Sequence, residues 1–306
     1  MKKIKEVNIG SVKIGGGNPV AVQSMCFSPT NDVSKVTAEI KLQESFGCAI
    51  TRVAIRDMDD VRTIPKIMEQ INIPLVADIH FDYKLAVESA YAGISKVRIN
   101  PGNIGDESKV KAVCDACRLH NIPIRIGANS GSIDKDILKK YGRPSAQAMV
   151  ESALKRIEEL NRFDFDDIVI ALKSSNVKDT IEAYTLMSEK TNYPLHIGAT
   201  EVGDSFFGLI KQTASIASLL VNGIGDTLRV SLSDTTDKEV IAGYEILRAC
   251  GLYDGGVDMI SCPTCARCGY DVFEAAREVK ERLKHVKEPL KVAVMGCAVN
   301  GPGEAR

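Results

Sequence analysis

The chain has 306 residues, of which 44% are hydrophobic and 26% are charged. This composition is typical of a globular protein and excludes disordered, collagen-like and coiled-coil proteins. The 39 lysines and arginines nearly balance the 40 aspartates and glutamates, so the net charge is −1. Such a balance provides no general attraction to nucleic acid or to an anionic membrane, although it is compatible with a local basic site.

The lack of long apolar segments predicts a cytoplasmic protein. No apolar run approaches the ~18 residues that a membrane span needs, and residues 1–6 lack the apolar stretch of a signal peptide. Reducing conditions in the cytoplasm disfavour disulfides. We therefore expect the nine cysteines to bind metal, to have a redox role or to lie in the core.

Short apolar runs alternate with helical patterns over the first ~250 residues. The predicted strands are Val20–Met25, Ile50–Ile55, Leu75–Ile79, Lys96–Ile99, Ile122–Ile126, Ile168–Lys173, Leu195–Ala199 and Thr227–Leu232. Continuous apolar runs of this kind are typical of parallel strands that are buried on both faces. Eight of them alternating with helices predict a (β/α)8 TIM-type barrel over residues 1–250.

An open, doubly wound sheet is the competing fold. In that fold a Gly-x-Gly-x-x-Gly turn follows the first strand and binds a dinucleotide. Here the run Gly15-Gly16-Gly17 comes before the first predicted strand, and no such turn follows it. The barrel is therefore favoured.

Residues 251–306 have a different pattern. A glycine- and aspartate-containing link is followed by an apolar run at Val257–Ile260, a cysteine cluster, a charged helix over about Asp271–Lys284 and a strand at Val292–Met295. This order predicts a small α+β domain. A domain of this size has too small a core to be stable alone, so we expect a metal centre or a partner surface to support it.

The predicted strands bring cations to one end of the barrel, where the active sites of (β/α)8 barrels lie. A cation occurs at or after five strand ends: Arg56, Arg98, Arg125, Lys173 and Arg229. Guanidinium groups bind phosphate oxygens in a bidentate manner, and lysine adds a point charge. Because clustered cations repel one another, the pattern favours a small, multiply charged anionic substrate such as a diphosphate. The alternative is that single cations pair with Asp78, Asp226 or Glu201.

Several other reactive side chains are interpreted as structural. His80 and His196 lack the His-x-x-x-His spacing of a metal site. Cys114 and Cys117 resemble a redox pair, but together with two valines they follow the spacing of a buried helical stripe. We therefore expect core packing rather than chemistry from these two thiols.

A second cysteine group indicates a metal site. Cys262, Cys265 and Cys268 form a Cys-x-x-Cys-x-x-Cys run, and Cys297 follows in a glycine-rich segment. Closely spaced thiolates with one distant ligand suit an iron–sulfur cluster. A structural zinc site remains the alternative, because four thiolates also satisfy tetrahedral zinc.

Six longer motifs resemble one family. They are Val22-Gln23-Ser24-Met25, Ala77-Asp78-Ile79-His80-Phe81-Asp82-Tyr83, Arg98-Ile99-Asn100-Pro101-Gly102-Asn103-Ile104-Gly105, Ile224-Gly225-Asp226-Thr227, Ser261-Cys262-Pro263-Thr264-Cys265 and Val299-Asn300-Gly301-Pro302-Gly303-Glu304. Over essentially the whole chain, the sequence resembles the 4-hydroxy-3-methylbut-2-enyl diphosphate synthases. These are iron–sulfur enzymes of the methylerythritol phosphate route to isoprenoids.

The resemblance implies an N-terminal barrel and a C-terminal domain that holds a [4Fe-4S] cluster. It also implies a head-to-tail homodimer, in which the cluster of one subunit closes over the barrel of the other. The family reaction opens and dehydrates 2-C-methyl-D-erythritol 2,4-cyclodiphosphate with two electrons from flavodoxin or ferredoxin.

Site residues follow from the same resemblance. The implied cluster ligands are Cys262, Cys265, Cys297 and Glu304. The implied substrate ligands are Arg56, Arg98, Arg125, Asn129, Lys173, Arg229 and Ser231. Asp78, His80 and Glu201 are expected at the reacting end, with Glu201 as the proton donor to the departing hydroxyl.

Two features depart from the family pattern. Cys268 is a spare thiol that could replace Glu304 as a cluster ligand, although the intact Gly301-Pro302-Gly303-Glu304 segment favours Glu304. In addition, the chain stops at Arg306, where members of the family continue. The resemblance therefore implies that the end of the cluster domain is missing, and we expect weaker metal retention.

Two other functions remain open at this point. A pterin-binding transferase barrel with a structural zinc appendage shares the architecture but has no use for the cysteine run. A zinc-stapled binding module or an electron carrier does not need five cations at a barrel mouth. Both fit the sequence less well than the reductive enzyme.

Overall fold

The structure, a computed structural model, describes residues 3–200, 203, 205–283, 285–297 and 299, with only the backbone of Pro101 and Ser132. The chain divides into two compact units, Met1–Leu247 and Arg248–Arg306. Across the described ranges, no helix has both the length and the apolar character needed to cross a bilayer.

In the described residues of the first unit, eight parallel strands close into a barrel. They are β3 (Ala21–Val22), β4 (Thr51–Ile55), β5 (Leu75–Ile79), β6 (Lys96–Ile99), β7 (Ile124–Asn129), β8 (Ile168–Lys173), β9 (His196–Ile197) and β10 (Thr227–Leu228). Ladders join β4 to β8 in chain order and join β3, β10 and β9. Bridges at Gln23–Ile50 and Ile170–Leu195 connect the two groups. The predicted (β/α)8 barrel is confirmed, and the open doubly wound sheet is wrong.

Helices follow the barrel strands. They are α1 (Val33–Ser45), α2 (Met58–Met68), α3 (Tyr83–Tyr91), α4 (Pro101–Ile104), α5 (Glu107–Leu119), α6 (Lys135–Tyr141), α7 (Ala146–Asn161), α8 (Val177–Lys190), α9 (Ser205–Leu220) and α10 (Thr236–Ala249). Asp32, Asp57, Asp82 and Asp106 accept first-turn N–H groups of α1, α2, α3 and α5. These carboxylates satisfy otherwise unpaired donors and interact favourably with the helix dipole, which fixes where the helices begin.

Three strands are shorter than the sequence predicts, because β3, β9 and β10 have two residues each. Beyond β9 and β10, side chains from the following helices replace neighbouring strands as hydrogen-bond partners. The Gln212 amide bonds to the backbone of Ala199 and Ser231. Glu239 accepts a hydrogen bond from the Leu232 N–H at 2.9 Å. Periodicity does not reveal such substitutions, so the apolar runs overestimate these strands.

An N-terminal hairpin packs against the barrel. β1 (Val7–Ile9) and β2 (Val12–Ile14) pair antiparallel. Side chains of the hairpin and of four barrel positions form one buried apolar cluster: Val7, Ile9, Ile14, Ala21, Ile50, Val76 and Val169. We call this cluster the apolar floor. The polar side chains of the barrel interior lie on its C-terminal side.

The second unit contains a small parallel sheet and one helix. β11 (Val257–Ser261) pairs with β12 (Leu290–Val294), and α11 (Val272–Leu283) lies between them in the chain. Val272, Ala276 and Val294 form its buried apolar cluster. Because the strands are parallel, the segments that follow β11 and β12 start from the same edge of the sheet.

Asp226 links β9 and β10 through a largely buried carboxylate. Its Oδ2 accepts a hydrogen bond from the Leu195 N–H at 2.7 Å. Burial raises the pKa of Asp226 to about 6, although the hydrogen bond opposes this shift. The ionised carboxylate is therefore an unfavourable component of the fold near neutral pH.

We predict that Asp226→Asn gains stability over the wild type as the pH rises from 4 to 8. The native carboxyl keeps its proton up to about pH 6, whereas an unfolded aspartate loses it near about 3.9. The unfolded state thus binds fewer protons in this window, and ionisation lowers the stability of the wild type as the pH rises. Urea titrations should show the difference in unfolding free energy growing by up to about 2–3 kcal/mol. A difference independent of pH would contradict this account.

Candidate functional site

A cavity of about 210 Å³ lies at the C-terminal ends of the barrel strands. Its lining residues are Arg52, Asp78, His80, Arg98, Arg125, Gly127, Asn129, Ala171, Lys173, Thr200, Arg229 and Ser231. Four arginines and one lysine therefore face this space, and Asp78 is the single acid among the described lining residues. The wall carries a surplus of positive charge.

The pleat of the strands explains why these side chains converge. Alternate residues of a strand face the same side, so Arg125, Gly127 and Asn129 share the inner face of β7. On β6, Arg98 pairs in register with Arg125 of the neighbouring strand. Rigid strands rather than loops therefore hold these two guanidinium groups next to each other.

Arg52, rather than Arg56, is the cation that β4 contributes to the cavity wall. The Arg56 guanidinium makes two 2.9 Å hydrogen bonds to the carboxylate of Asp60, and its side chain is 52% exposed. Asp60 lies in the first turn of α2, so this ion pair holds Arg56 at the start of the helix. The structure does not bring Arg56 into the lining, contrary to the expectation from its position. Arg56 directly follows the end of β4, where the sequence predicts a cation. Arg52 lies within β4, and its side chain is on the inner face of that strand.

Asp78 lies between two guanidinium groups. Arg98 Nη1 is 2.8 Å from Asp78 Oδ1, and Arg52 Nε is 3.6 Å from Oδ2. Burial acts to raise the pKa of Asp78, but the nearby arginines outweigh it and hold this pKa well below its ordinary value. Asp78 is therefore ionised at neutral pH and offsets part of the positive charge.

His80 contacts the same arginine. Its Nε2 lies 2.9 Å from Arg98 Nη1, and the guanidinium is the donor because it has no acceptor atom. Partial burial and the neighbouring arginines lower the pKa of His80, while Asp78 opposes them. A neutral His80 that accepts this hydrogen bond helps to orient Arg98.

Buried donors in the wall lack acceptors within the described part of the chain. These atoms are Nε and Nη1 of Arg125, Nε of Arg98 and Nε of Arg229. The Arg125 residue is only 1% exposed. A buried guanidinium without acceptors is costly, so these groups are suited to bind an anionic ligand.

Two glycines make room for the cations. A Cβ on Gly127 would lie 2.9 Å from Arg98 Nη2. A Cβ on Gly198, whose φ is +152°, would lie 2.5 Å from the Arg229 carbonyl oxygen and 3.2 Å from Lys173 Nζ. Larger residues at these two positions would displace the cationic wall.

Of the remaining predicted barrel residues, four line the cavity and one lies outside the described residues. Asn129 and Ser231 line the cavity, as does Lys173. The Arg229 guanidinium lines it as well and pairs with the buried Glu239 at 3.2 Å. Glu201, the predicted proton donor, lies outside the described residues.

In the second unit, backbone contacts hold two cysteine-bearing segments together. Cys262 directly follows β11, and its N–H donates to the Val294 carbonyl at 3.0 Å. The Gly269 N–H donates to the Gly296 carbonyl at 3.1 Å. These two contacts join the turn that carries Cys262 and Cys265 to the segment that carries Cys297.

Cys268 makes a hydrogen bond and packs against the apolar cluster of the second unit. Its Sγ donates to the Tyr270 carbonyl at 3.0 Å. Both Cys262 and Cys268 pack against the apolar cluster that contains Val272. A Cβ on Gly296 would lie 2.5 Å from the Cys268 sulfur. Cys268 thus packs closely against Gly296, in the segment that carries Cys297.

A mononuclear metal site is not formed by the described residues. Among them, no three His, Cys, Asp or Glu side chains are gathered closely enough to hold one metal ion. Thiolates serve as ligands both to tetrahedral zinc and to iron–sulfur clusters. Three of the proposed thiols lie on two segments that backbone hydrogen bonds join. Glu304, the predicted fourth ligand, lies outside the described residues.

Cys114 and Cys117 are fully buried on α5. Burial raises the pKa of the Cys114 thiol to about 12 and raises that of Cys117 as well. A thiol that stays protonated is a poor nucleophile and a poor metal ligand. The expected packing role of these two residues is confirmed.

The fold and site define a barrel protein with a cationic mouth and a cysteine-bearing second unit. Residues 4–244 match the GcpE TIM-barrel domain, and residues 258–306 match the GcpE protein C-terminal domain. The chain therefore belongs to the GcpE family, the family that the motifs resemble.

Curated relatives of this family carry one enzyme name. The chain is 54% identical to 4-hydroxy-3-methylbut-2-en-1-yl diphosphate synthase (flavodoxin) of Caldanaerobacter subterraneus subsp. tengcongensis, over 100% of this chain and 86% of the relative. It is 52% identical to the protein of the same name from Clostridium perfringens, over 100% of this chain and 87% of the relative. The predicted oxidoreductase family is thus confirmed, and an iron–sulfur centre is consistent with it.

Solved structures share the fold at low identity. Dihydropteroate synthase of Yersinia pestis superposes with a TM-score of 0.58 at 12% identity, over 82% of this chain and 100% of that chain. An N-acetylneuraminic acid synthetase of Leptospira borgpetersenii gives 0.56 at 12% identity, over 92% and 98% of the two chains. At such identities the likeness shows the fold alone. The pterin-binding alternative therefore gains a shared barrel and no functional support.

We predict that Gly127→Ala weakens anion binding, because the added Cβ would displace the Arg98 guanidinium from 2.9 Å away. Gly131→Ala is the matched control, since a Cβ there meets no atom within 4 Å. Calorimetric titration with sulfate should give about a tenfold higher Kd for Gly127→Ala, which corresponds to about 1.4 kcal/mol. Equal affinities of the two variants would show that the position of Arg98 does not control the site.

Proposed function

We propose that this chain catalyses the reductive ring opening and dehydration of 2-C-methyl-D-erythritol 2,4-cyclodiphosphate to 4-hydroxy-3-methylbut-2-enyl diphosphate. The product is the diphosphate in the names of the relatives. The observation that carries the proposal is the cavity wall, in which five cations face one acid among the described lining residues. The cyclodiphosphate is a dianion near neutral pH, because each ring phosphorus carries a single ionisable oxygen. The ligand and the cavity are therefore complementary in charge.

We assign diphosphate binding to the polar lining residues. These are Arg98, Arg125, Asn129, Lys173, Arg229 and Ser231, together with Arg52. The unpartnered nitrogens of Arg98, Arg125 and Arg229 would find acceptors in phosphate oxygens. Arg56 remains a predicted substrate ligand, and it would have to leave Asp60 to reach the cavity.

Asp78 and His80 have positioning roles in this proposal. Both contact Arg98 Nη1, at 2.8 and 2.9 Å, and so limit the orientations of this guanidinium before substrate binds. Such preorganisation lowers the cost of holding the reacting carbon in place. Glu201 is proposed as the proton donor to the departing hydroxyl.

The proposed cofactor is a [4Fe-4S] cluster held by Cys262, Cys265, Cys297 and Glu304. When bound, the cluster supplies electrons and a Lewis acid, which no side chain provides. The contacts between the two cysteine-bearing segments support this ligand set. Cys268 is not included, because its sulfur already donates a hydrogen bond to the Tyr270 carbonyl at 3.0 Å.

Two partners are proposed on the basis of the relatives and the resemblance. Flavodoxin appears in the names of the relatives and is the proposed electron donor, with ferredoxin as the alternative. The homodimer, with a cluster domain closing over a partner's barrel, stays a prediction. Analytical ultracentrifugation of the reconstituted chain tests it, and a monomer at micromolar concentration would contradict it.

The decisive experiment on function combines metal analysis with turnover. Anaerobically reconstituted chain should contain about four irons and four sulfides and should convert the cyclodiphosphate when reduced flavodoxin is supplied. Cys297→Ser should lose most of the iron, whereas the matched variant Cys268→Ser should retain it. A colourless protein with one zinc, or iron loss in Cys268→Ser alone, would contradict the proposed cofactor and its ligands.

Arg125→Ala should mainly weaken substrate binding. The variant removes charge-assisted hydrogen bonds worth about 1.5–3 kcal/mol, so the Kd for the cyclodiphosphate should rise about 10- to 150-fold. Arg62→Ala is the control, because Arg62 is 72% exposed and pairs with Asp59 on α2. Thermal unfolding should change little in either variant. A large loss of stability in Arg125→Ala would instead favour a structural role for this arginine.

A further inference from the structure

A second polar layer lies between the cavity and the apolar floor. Gln23, Lys96, Arg125 and His196 are each at most 1% exposed, and only Arg125 also lines the cavity. Register places Lys96 opposite Val76, and places Arg98 opposite Asp78 two residues further along. Lys96 therefore lies one inward-facing position below Arg98, closer to the apolar floor.

The hydrogen bonds of this layer are incomplete. Lys96 Nζ donates to Gln23 Oε1 at 3.2 Å, which is its one hydrogen bond to a described residue. Gln23 Nε2 and His196 Nε2 have no partner in the described part of the chain, and neither do two nitrogens of Arg125. His196 Nδ1 lies 3.4 Å from the Thr227 hydroxyl. Nearly all these groups can donate, and acceptors are scarce.

The charges that face Lys96 are also unbalanced. From β4 comes Arg52, from β7 Arg125 and from β9 His196, while Gln23, which directly follows β3, is neutral. Val76 of β5 is apolar and pairs in register with Lys96. Asp78 lies in the next layer, and Arg98 and Arg52 already pair with it. Lys96 thus has cationic neighbours and no acid of its own among the described residues.

Of these groups, Lys96 and His196 can relieve the repulsion by losing a proton. Guanidinium groups remain protonated in proteins, so Arg52 and Arg125 keep their charges. Burial and the nearby arginines lower the pKa of Lys96 well below its ordinary value. Burial, Arg125 and Lys173 do the same to the pKa of His196.

We propose that Lys96 is a positioning residue beneath the diphosphate site, neutral when the cavity is empty and protonated when a dianion occupies it. The inference rests on the proposed function, because it assumes that an anion binds in the cavity. As a neutral amine, Lys96 avoids repelling Arg125. When two negative charges arrive above, the balance reverses, and the ammonium group strengthens the binding of the ligand.

The affinity of the cavity for a dianion should depend on pH in one direction. Binding raises the pKa of Lys96, so one proton is taken up over the window between its free and bound pKa values. Affinity for a dianion must then fall as the pH rises through that window, by up to about tenfold per pH unit for one proton. Sulfate and the cyclodiphosphate keep a fixed charge of −2 above about pH 6, so the ligand itself does not contribute.

Isothermal titration of the full chain without reductant tests the proposal, since no turnover then occurs. Binding of the cyclodiphosphate is measured at several pH values between 6.5 and 9, in two buffers of different ionisation enthalpy. The wild type should take up about half to one proton per ligand within this range. Binding with no proton uptake at any of these pH values would overturn the proposal.

Lys96→Met and Lys96→Gln assign the proton to this residue. Both variants should lose most of the uptake, and their Kd should match that of the wild type at pH 9 but exceed it at pH 6.5. Lys41→Met, at an exposed position of α1, should behave as the wild type. Unchanged uptake in the Lys96 variants would assign the proton to Lys173 or His196 and would contradict the proposal.

The outcomes also separate this inference from the proposed function. If neither the cyclodiphosphate nor sulfate binds to the wild type at any pH, the cavity is not a dianion site and the proposed function fails. If both bind without proton uptake, only the role of Lys96 fails. Thermal unfolding of each variant verifies that it is folded, and the wild-type titration remains decisive even if one variant is not.

Discussion

Positive charge buried inside a closed barrel is the constraint on which the rest of this structure depends. Arg52, Lys96, Arg98, Arg125 and Lys173 are each at most 8% exposed. Asp78 interacts with the three arginines of this group. Burying a charge without a partner costs several kcal/mol. The fold tolerates this arrangement because parallel strands fix the side chains and the apolar floor supports them from below. The unpaired donors are consequently available for a ligand.

Side chains from the surrounding helices and two glycines support this cationic interior. Gln212 and Glu239 reach in from α9 and α10 and satisfy backbone groups where the ladders of β9 and β10 stop. Glu239 also pairs with Arg229. Gly127 and Gly198 leave space that cations occupy. Functional sites commonly break local stability rules that the surrounding scaffold must compensate.

The sequence predicts the architecture well, because eight continuous apolar runs leave few alternatives to a parallel barrel. It predicts the site less completely. Strand ends predict four of the five cationic lining residues correctly, but they predict Arg56 where Arg52 lines the cavity. The ion pair that holds Arg56 to Asp60 has no signature in strand periodicity. The Cys-x-x-Cys-x-x-Cys spacing indicates a metal, yet it does not separate Cys268 from the proposed ligands. That distinction rests on the hydrogen bond from Cys268 Sγ to the Tyr270 carbonyl, which only the folded unit reveals.

A crystal structure of the full chain with unreduced cyclodiphosphate tests the central claim most directly. The account predicts that both phosphates lie within hydrogen-bond distance of Arg98, Arg125 or Lys173, and that the two unpartnered nitrogens of Arg125 gain phosphate oxygens as acceptors. The account is contradicted if the ligand binds outside the barrel mouth, or if it binds there while these three side chains make no contact with phosphate.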